Sequence, residues 1–140
     1  MTTTVIQVRE ALADVITYDG VLGNLLTGKR VYAGKAIPQA KLNYIVLGQT
    51  TETGEGASYY NGQYGHLGTE NIHCWARTKW TAQQIYARLV QLLDRQRITL
   101  LDHTVIKGRL EYVTDFEGED ENSWQVWARY RLLSVQGRLT

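Results

Sequence analysis

Ser123-Trp124-Gln125-Val126-Trp127-Ala128-Arg129-Tyr130-Arg131-Leu132-Leu133-Ser134-Val135 is the stretch from which the fold can be read. Trp124, Val126, Ala128, Tyr130 and Leu132 share one side, and Gln125, Trp127, Arg129 and Arg131 the other, with Leu133 continuing the second set. Successive side chains of a β-strand point to opposite faces, so this period of two predicts one long strand with an apolar face and a mixed face. Val105 to about Phe116 reads as a second long strand. The two are predicted to pair across the turn Asp115-Phe116-Glu117-Gly118-Glu119-Asp120-Glu121.

Further upstream, Thr69 to Arg77 alternates in the same way, with Ile72, Cys74 and Ala76 set against His73, Trp75 and Arg77. The stretch from Asn43 to about Thr51 is β-rich, and Tyr44-Ile45-Val46-Leu47 within it lacks alternation, which predicts a strand covered on both faces. These two strands are predicted to form a long hairpin whose tip is Glu52 to Gly68. That tip holds five glycines (Gly54, Gly56, Gly62, Gly65, Gly68), three tyrosines (Tyr59, Tyr60, Tyr64) and almost no aliphatic side chains. Arg30-Val31-Tyr32-Ala33 adds a short strand, followed by an extended connection from Gly34 to Leu42.

The helices announce themselves by spacing. Thr4-Val5-Ile6-Gln7 has the form of a capping box, and Val5, Val8, Leu12, Val15 and Ile16 then recur at intervals of three and four. Tyr18-Asp19-Gly20 breaks this helix, Val21 to Leu26 forms a short second one, and Gly28 is expected to close it. Thr81-Ala82-Gln83-Gln84 is read as another capping box, opening a helix with Ile85, Leu89, Leu92 and Leu93 on one face and ending near Asp94. The order α, β, β, β, α, β, β, counting the two main helices, gives an α+β fold. It is an antiparallel (mixed) β-sheet with two main helices packed on one face and a long hairpin loop. No internal repeat and no linker divides the chain, so residues 1–140 are expected to form one domain.

Composition narrows the function. The chain has 140 residues, of which 44% are hydrophobic and 21% charged, enough for one sizeable core and too few charges for a disordered chain. Lys plus Arg number 15 and Asp plus Glu 14, a net charge of +1, without the basic excess of a protein devoted to gripping nucleic acid. Cys74 stands alone, so no intramolecular disulfide forms. Met1 to Glu10 lacks the charged and apolar regions of a signal peptide, and no apolar run approaches a membrane span, so a soluble protein made inside the cell is expected, with no membrane partner.

No catalytic constellation, cofactor motif or metal site is read from the chain. His73 and Cys74 are neighbours on a strand and point to opposite faces, as do Glu70 and His73, the one Glu-x-x-His spacing, and no Cys-x-x-Cys or His-x-x-x-His spacing occurs. Cys74 falls on the Ile72/Ala76 side and reads as a small buried hydrophobe. Thr27-Gly28-Lys29-Arg30 follows a helix instead of opening one, so it is not a phosphate loop.

Three surfaces are candidates for contact with a partner or a second subunit. Tyr59, Tyr60 and Tyr64 lie in a glycine-rich frame, where aromatic side chains supply contact area once a partner orders them; an idle loop is the alternative. Asp115, Glu117, Glu119, Asp120 and Glu121 crowd five carboxylates into seven residues, either as a solvated turn or as a dock for a basic partner. Arg129 and Arg131 project together from the last strand. Arg77 and Lys79 before the second main helix and Arg88, Arg95 and Arg97 along and after it cluster modestly. These basic residues, interleaved with Trp75, Trp80 and Trp127, read as a surface that is solvated, faces another subunit, or contacts nucleic acid by stacking and charge.

Taken in order, these segments resemble the tail terminator family of long-tailed bacteriophages, also called tail completion or tail-to-head joining proteins. The resemblance rests on the N-terminal amphipathic helix, Gly28-Lys29-Arg30-Val31-Tyr32, Ile37-Pro38-Gln39, the strand Tyr44-Ile45-Val46-Leu47-Gly48 and the polar loop after it. It continues through His73-Cys74-Trp75-Ala76-Arg77, the helix Ala82 to Leu93 and the two long strands, covering nearly the whole chain by order and spacing. Asn43 departs from the pattern, which has a proline before the tyrosine. The resemblance implies a non-enzymatic structural protein forming a homo-oligomeric ring, usually a hexamer. The ring would cap the tail tube protein, end tube polymerisation and offer its other face to the head-side connector (stopper) protein. It also implies a place in the virion at the head–tail junction after synthesis in the host cytoplasm, with DNA passing through the ring without specific binding. Two other readings are a nucleic-acid-binding module using the Arg129/Arg131 and tryptophan surface, and a small α+β enzyme.

Overall fold

The computed structural model describes residues 4–26, 31–34, 42–48, 58–62, 65–99, 105–118 and 123–135, without the side chains of 4–7, 58–62, 65–68, 105 and 132–135. Helices α1 (Thr4–Tyr18) and α2 (Gly20–Leu25) lead into strands β1 (Val31–Ala33), β2 (Tyr44–Leu47), β3 (Ser58–Gly62) and β4 (Gly65–Ala76). Helix α3 (Lys79–Leu93) follows, then β5 (Arg97–Thr99), β6 (Val105–Glu117) and β7 (Trp124–Val135). All seven strands join one sheet in the order β1-β2-β4-β7-β6-β5, with β3 pairing β4. The β1–β2 pair is parallel and the others are antiparallel, so the sheet is mixed. The fold is α+β, as the hydrophobic periods indicate.

Directly opposed residues in a sheet face the same side, so the register sorts the side chains into two faces. On one face run the rows Ile45–Cys74–Val126 and Leu47–Ile72–Ala128, and Tyr130 sits opposite both Glu70 and Leu110. Against this face pack Val8, Leu12 and Ile16 of α1, Leu22 of α2, and Ala82, Ile85, Leu89 and Leu93 of α3, all fully buried in one cluster. The unbroken apolar run of β2 is buried on both sides, with Val46 on the far face only 1% exposed.

The hairpin of β2 and β4 forms with Leu47 opposite Ile72 and Tyr44 opposite Trp75. Its glycine- and tyrosine-rich end is not a plain loop. Ser58 to Gly62 is a strand that pairs Ser58 with Thr69 and Gly62 with Gly65, and β4 extends back to Gly65 to receive it. The lower half of β4 is therefore flanked by β3 and the upper half by β2. Residues 51–57, Tyr64 and the side chains of Tyr59 and Tyr60 lie outside the described residues, as do Gly28, residues 35–41, the side chains of the Thr4 capping box, His103 and the side chain of His66.

Two caps differ from the sequence expectation. Helix α3 starts at Lys79, because the Thr78 side chain, rather than that of Thr81, caps it by accepting from Thr81 N at 3.1 Å. Asp19 is not merely a break. It caps α2 by accepting from Leu22 N at 2.9 Å, and Arg88 of α3 donates to it at 2.6 Å, clamping the two helices together. Asn43, where the family pattern has a proline, follows a cis peptide bond. Its side chain donates to Leu25 O at 2.8 Å and accepts from Arg77 N at 3.0 Å, joining the end of α2 to the approach to α3.

One charged pair lies under the helices. Glu70 is fully buried and accepts from Arg9 Nε of α1 at 3.0 Å. Gly48 makes room for it: its φ is +75°, and a Cβ there would run into the Arg9 guanidinium. Cys74 is buried in the core, and desolvation pushes its thiol above the ordinary range, which makes it an inert thiol.

Candidate assembly interface

Of the candidate residues, Arg129 and Arg131 lie on the face of the sheet opposite the helices. The row Val46–His73–Trp127–Thr114 crosses four strands, and Tyr44–Trp75–Gln125–Phe116 runs beside it. Buried polar groups on this face pair with one another, as burial demands. Gln125 Nε2 meets His73 Nδ1, Trp127 Nε1 donates to Asn71 Oδ1 at 3.2 Å, and the His73 and Trp127 rings stack with centroids 5.8 Å apart. His73, Gln125 and Asn71 are 1%, 3% and 5% exposed, so this end of the face is closed. Alternation put these residues on the face, but their polarity gave no sign of burial.

Further along the same strands the face opens. Arg129 lies over the Trp127 ring at 5.6 Å, and the exposed Arg131 pairs with Glu111 at 3.1 Å. Arg129 and Arg131 therefore do share a surface. Exposed Arg97, Lys107 and Arg109 join them, because the register sets Arg97 opposite Lys107 and Arg109 opposite Arg131. Arg109 donates to Asp94 Oδ1 at 3.2 Å. Asp94 also accepts from Leu110 N, and that bond and then Arg109 hold its carboxyl below the usual carboxylate range. The sequence hid this grouping, since the five cations come from three strands.

The acidic run begins inside a strand, not in a turn. β6 continues through Glu117, and Gly118 N donates to Ser123 O at 3.1 Å where the turn begins. A bulge at Val113 shifts the register, from Tyr112 opposite Ala128 to Thr114 opposite Trp127. The shift places Asp115 and Glu117 on the helix-bearing face and sends Phe116, 41% exposed, to the other. Asp115 accepts from the Tyr112 hydroxyl and lies 3.8 Å from Lys79 Nζ, while Lys79 also stands over the Trp124 ring at 5.4 Å. Glu117 is exposed. Glu119, Asp120 and Glu121 lie outside the described residues.

Among the described residues no group of three His, Cys, Asp or Glu side chains is placed to hold a metal ion, and no helix is long and apolar enough to cross a membrane. The family model of the tail completion protein gp17 matches residues 10–133. The chain belongs to that family. A chain from the virion of the native gene transfer agent (GTA) particle shares the fold, with a TM-score of 0.73, 17% identity, and coverage of 96% of this chain and 99% of that one. No curated protein sequence matches.

Proposed function

We propose that this protein is a structural component of a phage-like virion that forms a ring, usually a hexamer, on the end of the tail tube. In this reading the ring ends tube polymerisation and presents its other face to the head-side connector, at the head–tail junction, after synthesis in the host cytoplasm. It does so as a single domain and without bond chemistry. The family match over residues 10–133 carries the reading. The fold shared with a chain of the gene transfer agent virion supports it.

The parts have distinct tasks. The helix-bearing face builds the subunit, and the β3–β4 hairpin, with Tyr59, Tyr60 and neighbouring Tyr64, offers aromatic contact area to the tube or a neighbour. The acidic run Asp115, Glu117, Glu119, Asp120 and Glu121 and the Arg129/Arg131 surface are contact surfaces for subunits or partners. DNA passes without specific binding, consistent with a net charge of +1. The test is complementation of particles that lack the protein. Supplying it should convert separate heads and tails of irregular length into joined particles with tails of one length. Unchanged heads and tails would overturn the reading.

A further inference from the structure

We propose that the basic strip Arg97, Lys107, Arg109, Arg129 and Arg131 receives the acidic end of β6, Asp115 and Glu117, from a second copy of this chain. The proposal rests on the ring reading above and names the two surfaces that would meet.

The strip is arranged against its own electrostatics. Arg97 faces Lys107 across one strand pair and Arg109 faces Arg131 across another, and like charges directly opposed in a sheet repel. Glu111 answers Arg131 and Asp94 answers Arg109. Among the described residues, Arg97, Lys107 and Arg129 have no ion pair, and the five cations of the strip meet two carboxylates, Asp94 and Glu111. Nothing in the packing of the subunit requires this, because Arg97, Lys107, Arg109 and Arg131 are exposed.

The matching negative charge lies on the same molecule but out of reach. Lys107 and Glu117 sit on one strand ten residues apart, roughly 33 Å at the rise of an extended chain. That is several Debye lengths at physiological salt. Arg129 is nearer, three residues along β7 from the Val126 that faces Asp115, but lies on the other face of the sheet, so within one copy the two surfaces cannot meet. Between copies they can. Each subunit would give its acidic end to one neighbour and its basic strip to the other, a head-to-tail contact that makes a ring when the rotation closes.

Charge reversal tests the pairing. One variant carries Arg97→Glu and Lys107→Glu, the other Asp115→Asn and Glu117→Lys, and circular dichroism checks that both fold. Sedimentation velocity in 20 mM and 500 mM salt should show wild-type oligomers that weaken with salt, and at least tenfold weaker association for each variant alone. An equimolar mixture of the two should recover pairwise association, since the intact acidic end of the first variant meets the intact strip of the second. Wild-type-like oligomers from both variants would overturn the pairing while leaving the ring reading intact. Failure of the mixture to recover would likewise count against it. A wild-type chain that stays monomeric at every concentration and salt would overturn the second copy as the occupant. Retention of duplex DNA by wild type, lost in the first variant with self-association unchanged, would make the strip a nucleic-acid surface and also overturn the proposal.

Discussion

The two faces of the sheet are made by the same strands, yet they follow different rules. On the helix-bearing side, Ile72, Cys74, Val126, Ala128 and Tyr130 are all fully buried against three helices. On the other side, the same strands carry His73, Gln125, Trp127, Arg129 and Arg131, which pass from buried to exposed along the sheet. The first face is fixed by shape and apolar area. The second is fixed by hydrogen bonds at its closed end and by charge at its open end. Stability should therefore respond to changes in the buried part of the first face, and association to changes at the open end of the second and at the acidic end of β6.

The largest effect should come from Leu89→Ala, which removes a fully buried side chain of α3 from the first face. A loss of about 3 kcal/mol is expected in urea unfolding. A loss below about 1 kcal/mol would mean that α3 does not pack as described. Next comes Arg9→Ala, which leaves Glu70 buried under the helices without this partner. Because Arg9 is itself partly exposed, the expected cost is about 3 kcal/mol, at the lower end for a broken buried pair. Thermal unfolding of Arg9→Ala beside Arg9→Lys checks it, with Lys recovering only part of the loss.

Tyr130 sharpens the contrast, since it is the polar tip inside the apolar face. Burial, aided by the Asp94 carboxylate, pushes its phenol up to about 12, and its hydroxyl has no hydrogen-bond partner among the described residues. A folded-state pKa above the unfolded one gives stability that is full below the unfolded value near 10 and is lost as pH rises through the folded value. Wild type should lose on the order of 2 kcal/mol between pH 10 and 12 by this route, a slope that Tyr130→Phe removes. At pH 7 the same substitution should be neutral or stabilising by up to about 1 kcal/mol, because the hydroxyl it removes is unpaired. The smallest stability effect is expected for Arg131→Ala on the open end of the second face, within about 0.5 kcal/mol, as for an exposed ion pair. A large destabilisation there would erase the distinction between the faces.

The elements legible in the sequence were those with a long period. The thirteen residues from Ser123 to Val135 and the spacing of Ile85, Leu89 and Leu93 predict strand and helix because each buries one side repeatedly. β5 was missed, having three residues and one buried side chain, Ile98, too few to show a period. β3 was missed because Ser58 to Gly62 has the composition of a loop, and its strand conformation comes from pairing with β4. The bulge at Val113 leaves no mark in the sequence, yet it decides which face receives Asp115 and Glu117. The Arg129/Arg131 surface was legible from alternation. Its extension to Arg97, Lys107 and Arg109 required the register between strands.

Electron microscopy of tail tubes from particles lacking this protein, incubated with the purified chain and followed by native mass spectrometry, tests ring formation most directly. The account predicts closed rings on tube ends whose mass is a whole multiple of the 15.9 kDa subunit, with tubes that no longer grow. Bare tube ends that keep elongating beside 15.9 kDa monomers would contradict it.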